Sequence, residues 1–286
     1  MKTKKITKNN RVIAHIYFYT DYDRKTARTA DKLLNKIMNQ ISFKPKVCYV
    51  GFRTKKLLRK HLDFQIFGRK NKEGNKEPFS PFPFSERDIS SVIKNTLLRC
   101  LIRLHSKSTW IFVFPTFNLF VKKKMEGVTG SSFWKNTILL FIHPEAKKWQ
   151  TPLANTVVHE FTHSVENKYF PISSSTTLLD SLIFEGQAEN FVISIFKCKL
   201  RFGARALNKT QSKKLLRKLQ KKDLLYSTSR KLYYSVFFEG KKYPLWAGYS
   251  IGYQIVKGFL KKNKNLTWEE IIKLKPNEIL NRSSFI

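Results

Sequence analysis

The residues with the most chemistry to offer stand together at His159-Glu160-Phe161-Thr162-His163. On a helix, side chains four apart project from one face a turn apart, so both imidazoles can bind one cation. Zn²⁺ is the ion that suits a pair of imidazoles in this HExxH spacing, and the intervening Glu160 reaches the water position as a general base. A second cluster follows at Phe184-Glu185-Gly186-Gln187-Ala188-Glu189. Glu185 supplies a third ligand, which leaves one zinc position open for water. Gly186 and Ala188 are small and permit close helix approach. Glu189, one turn on, can accept a hydrogen bond from the far nitrogen of a ligating histidine. The alternative exchanges Glu185 and Glu189; the glycine beside Glu185 favours the first assignment.

The charge distribution points to the same stretch. The chain carries 55 Lys+Arg against 20 Asp+Glu, a formal net charge of +35. Between Thr151 and Asn190, however, Lys168 is the only Lys or Arg, while Glu160, Glu166, Asp180, Glu185 and Glu189 all fall there. A lysine-rich protein that gathers carboxylates and imidazoles in one place has made room for a cation. Elsewhere the charge reads chiefly as a solvated lysine-rich surface, with weak association with polyanions or anionic membrane surfaces as the alternative. Its densest part is Lys199–Lys222, with ten Lys/Arg and no acid, interleaved with Leu215, Leu216 and Leu219. No zinc-finger or helix-turn-helix pattern accompanies it, so no specific nucleic acid is expected.

Several elements must position these groups. Thr151-Pro152 reads as a helix start, a capping hydroxyl and then proline at the first helical position, with the helix running to about Tyr169 and burying Leu153, Val157, Phe161 and Val165. A loop with Pro171 and Ser173–Ser175 lets the chain turn back into a helix over 177–197. Further helices are expected at 209–225 and 246–262, with a short one capped by Thr267. Upstream, strands are expected at 12–20, 47–52, 110–114 and 136–143, and helices at 23–40, 54–62 and from Ser85 onward. Strands before Pro144 and helices after it predict an α+β protein: an N-terminal mixed sheet with helices, then a mainly helical half. The portions divide at 1–125 and 126–286, within one continuous catalytic domain.

A hydrophobic fraction of 42% over 286 residues supports a folded core and excludes a disordered chain. No apolar run approaches the roughly 18 residues a membrane span needs. The basic start MKTKKITKNN runs into an alternating, strand-like segment, and Cys48, Cys100 and Cys198 are odd in number and far apart. Both features fit a cytoplasmic, reducing setting.

The run LLDSLIFEGQAENF, with TVVHEFTH before it and WAGYSIGYQIV after it, resembles the YjaZ-like family of predicted zinc-dependent proteases. More broadly, HExxH followed by an EGxAE segment resembles the gluzincin metallopeptidases. The resemblance covers roughly 128–285. It implies a zincin-like fold, Zn²⁺ on His159, His163 and Glu185, Glu189 as the outer acid, and a peptide or protein substrate. It also implies an edge strand beside the substrate, which would be 136–143.

The expected chemistry is peptide hydrolysis by a zinc-activated water, with Glu160 as general base. Tyr249 and Tyr253, four apart in Gly248-Tyr-Ser-Ile-Gly-Tyr, are candidates for the oxyanion donor, Tyr249 preferred. His105 and His143 read as structural, since one ends a helix and the other ends a strand at Pro144. The alternative function is a basic protein that binds nucleic acid or an anionic surface on an inactive metallopeptidase fold.

Overall fold

The computed structural model describes residues 2–19, 35, 55–68, 82–197 and 200–286. They belong to two units, Met1–Pro171 and Ile172–Ile286.

The first unit is built on a five-stranded mixed sheet in the order β1-β2-β3-β5-β4. Strands β1 (Lys2–Lys8) and β2 (Arg11–Phe18) form an antiparallel hairpin. Its turn is Asn9-Asn10, with φ of 46° and 61°. Asparagine tolerates this left-handed conformation, which matches the twist of the flanking strands. The basic opening segment is therefore a paired strand, a role its lysines obscured in the sequence.

Helix α1 (Lys55–Phe67) and helix α2 (Glu86–Cys100) precede strand β3 (Thr109–Pro115). Ser85 caps α2 by accepting the Asp88 N–H at 3.0 Å, and Ile89, Ile93, Leu97 and Cys100 make its buried stripe. Burial pushes the Cys100 thiol pKa up. Helix α3 (Leu119–Lys124), strand β4 (Val128–Ser131), strand β5 (Thr137–Ile142) and helix α4 (Gln150–Glu166) complete the unit. β2, β3 and β5 run parallel, and β1 and β4 are antiparallel to their neighbours. Ile111–Phe114 and Ile138–Ile142 have no exposed surface, as expected of the continuous apolar runs at a sheet centre. Helix α4 lies on β4 and β5, with α2 packed beside it.

Two expectations are corrected here. Residues 136–143 were expected to form the edge strand, but β5 is internal, between β3 and β4. Among the described residues the edge on that side is β4, four residues long and containing Gly130, too short and too weak in strand propensity to stand out. Nor does Thr151 cap α4. The helix starts at Gln150 after Trp149, with no capping side chain, and Pro152 falls in the first turn, where its missing N–H costs nothing. The helix read at 23–40, apart from residue 35, and the strand at 47–52 lie outside the described residues, as do Cys48 and Cys198.

The second unit is helical: α5 (Leu178–Phe196), α6 (Lys209–Lys221), α7 (Arg230–Tyr234), α8 (Ala247–Lys262), α9 (Trp268–Ile271) and α10 (Pro276–Asn281). A reciprocal capping box between Thr177 and Asp180 starts α5. Its main partner is α8, and the two helices cross on glycines. A Cβ on Gly186 would stand 2.3 Å from the Gly252 carbonyl oxygen, and one on Gly252 would stand 1.9 Å from that of Leu182. Among the described residues, no helix is long and apolar enough to cross a membrane. The protein is thus a mixed α/β chain whose described strands all precede His143.

Candidate metal centre

Helix α4 carries two opposed faces. Leu153, Val157, Phe161 and Val165 are at most 1% exposed and anchor one of them. Burial of each contributes roughly 2 kcal/mol, enough to hold the helix rigid beneath a site. The other face is polar and also buried: His159 is 5% exposed, Glu160 6%, His163 4% and Glu166 1%. Four ionisable side chains out of water on one helix are costly unless each meets a partner or a cation.

His159 and His163 meet as the four-residue spacing requires. Their rings are perpendicular, with centroids 4.6 Å apart, and their Nε2 atoms lie 3.0 Å apart. Two ring nitrogens aimed at one point can share one metal ion. On its other side, His163 holds Glu166: Nδ1 is 2.8 Å from Oε2, and both side chains are buried. Sequence reading counted Glu166 only as one acid among five in the stretch. Its position three residues after His163, on the same helical face, was the available signal.

The sheet supports this arrangement. A Cβ on Gly130 of β4 would stand 2.5 Å from Glu160 Cγ and 2.9 Å from Thr156 Cγ2, so the glycine lets α4 lie against the strand at Glu160. Past the end of α4, Asn167 donates from Nδ2 to the Ser132 carbonyl at 3.0 Å. The Asn136 N–H donates to the Ser164 carbonyl at 3.2 Å. These bonds tie the helix end to the strand connection beside it. Of the other histidines, His143 accepts the Glu145 N–H on Nδ1 at 3.1 Å, and His105 is exposed.

In the second unit, α5 carries Glu185 at 9% and Glu189 at 3% exposure. Arg201, on the chain after α5, approaches Glu189 Oε1 at 3.5 Å, a pairing that sequence reading did not anticipate. The two tyrosines of α8 have different surroundings. Tyr253 is 4% exposed, with Lys257 Nζ 5.4 Å from its ring centroid. Tyr249 is half-buried, its ring edge-on to Phe237 at 5.3 Å and Phe238 at 6.2 Å, and Gly203 is flush against it.

His159 and His163 bring together two imidazoles of the kind a catalytic zinc takes, so the chemistry of these donors fits the ion. No curated protein and no solved structure matches the chain. A family model does, over residues 89–281, which is well over half of the chain and spans α4, α5 and α8. The chain belongs to the family described as predicted Zn-dependent protease (DUF2268).

Proposed function

We propose that this protein is a zinc metallopeptidase of gluzincin type, hydrolysing peptide bonds on a zincin-like fold. The observation that carries the reading is the convergence of His159 and His163 Nε2 at 3.0 Å, on a buried helix face that also holds Glu160. Glu185 is assigned as the third protein ligand. When bound, Zn²⁺ supplies Lewis acidity and brings the pKa of water towards about 7.

The chain's own residues do the rest. Glu160 accepts the proton of the attacking water and delivers it to the leaving amine. The Tyr249 hydroxyl donates to the developing oxyanion; its half-buried position suits this better than that of Tyr253. Because Glu166 already holds His163, Glu189 is assigned to the far nitrogen of His159, steadied by Arg201. Among the described residues strand β4 has a sheet neighbour on one side, and its other side is assigned to offer main-chain groups to an extended substrate.

The test compares zinc content in wild type, Glu160→Gln and Glu185→Ala. Wild type and Glu160→Gln should hold about one zinc per chain, and Glu185→Ala should lose it. Zinc retained in Glu185→Ala would remove Glu185 from the ligand set.

A further inference from the structure

We infer that Glu166 is a positioning residue for the metal centre, acting through His163. The inference rests on the zinc reading above and adds a residue to it.

The argument starts from the two nitrogens of one imidazole ring. In neutral histidine one nitrogen carries the proton and the other the lone pair, and only the lone pair can bind a metal. His163 Nδ1 faces the Glu166 carboxylate at 2.8 Å, and its Nε2 faces His159 Nε2 at 3.0 Å. A carboxylate accepts and does not donate, so it places the ring proton on Nδ1. The Nε2 lone pair is then aimed at the point where His159 converges. Glu166 lies on the side of the ring away from that point, so it acts as a partner of a ligand and is not itself a ligand.

The backbone holds Glu166 in place. Its carbonyl accepts the Tyr169 and Phe170 N–H groups at 2.8 Å each, closing the turn that follows α4. Asn167, its neighbour, is bonded to the Ser132 carbonyl. The carboxylate therefore sits on a fixed turn, and the imidazole orientation is settled before any metal arrives. Partners of this kind alter metal affinity by about 10–100-fold.

The experiment uses full-length protein as wild type, Glu166→Ala and Glu166→Gln. Two readouts serve: zinc affinity by competition with a chelator, and the His163 tautomer by nitrogen NMR on metal-free protein at a pH where the ring is neutral. Wild type should show the proton on Nδ1. Glu166→Ala should lose that preference, with zinc affinity lower by about 10–100-fold. Glu166→Gln keeps an acceptor but not the charge, so it should retain the tautomer and lose less affinity. It also serves if Glu166→Ala does not fold. Wild type that binds zinc while both variants bind it equally well overturns the inference and leaves the zinc reading standing. A wild-type His163 protonated on Nε2 also overturns it. Wild type that binds no zinc overturns both.

Discussion

Gly130 of β4 lies so close to Glu160 of α4 that a single added methyl would stand 2.5 Å from Glu160 Cγ. The edge strand and the residue proposed as general base are therefore set against each other by the absence of a side chain. Gly130→Ala should displace Glu160 while leaving both histidines in place. The expected outcome is a fall in kcat on the order of 10²-fold with zinc content unchanged, read by peptide hydrolysis and metal analysis.

The glycine crossing of α5 and α8 is tighter still, and backbone bounds it. A Cβ on Gly252 would meet the Leu182 carbonyl oxygen at 1.9 Å, which no rotamer change can relieve. Gly252→Ala should destabilise the protein by about 3 kcal/mol or more, seen as a lower Tm in calorimetry.

Tyr249 and Tyr253 separate a donor from a core residue. Tyr249→Phe should lower kcat by roughly 10²-fold with KM little changed, because the bond is made only in the transition state. Tyr253→Phe should leave kcat within about twofold of wild type. Steady-state kinetics on one peptide substrate measures both.

His61 on α1 gives the fold a dependence on pH. Its Nε2 lies 3.2 Å from Ser131 Oγ, its ring is edge-on to Phe133 at 5.0 Å, and burial pushes its pKa down to about 4. The unfolded histidine titrates near its ordinary 6.5. Between these values the unfolded chain binds a proton that the folded chain refuses. The stabilising contribution is therefore complete above pH 6.5 and is lost as pH falls towards 4. Denaturant unfolding should show about 3 kcal/mol lost across this window, and His61→Phe should flatten that slope.

Much of the candidate centre was legible because helix geometry turns spacing into position. The four-residue interval of His159 and His163 fixes their common face, and the buried stripe Leu153, Val157, Phe161 and Val165 was readable from its period. Contacts made across the sheet were not legible. Strand β4 is short and holds a glycine, so the edge place that the resemblance implies fell to the segment of β5, which lies between β3 and β4. Gly186 was read as permitting close helix approach; that the approaching helix is α8, at Gly252, was not legible. Glu166 was overlooked because an acid in an acidic stretch carries no mark until its partner is seen. Pairing of β1 with β2 was hidden in a segment whose lysines resemble a solvated tail.

The most direct test strips metal from the wild-type protein with a chelator, then follows peptide hydrolysis as zinc is returned, with Glu160→Gln in parallel. Hydrolysis should be absent in the stripped protein and recover as zinc reaches about one equivalent. Glu160→Gln should take up the same zinc and stay about 10³-fold below wild type. Full activity without metal, or a Glu160→Gln protein as active as wild type, would contradict the account.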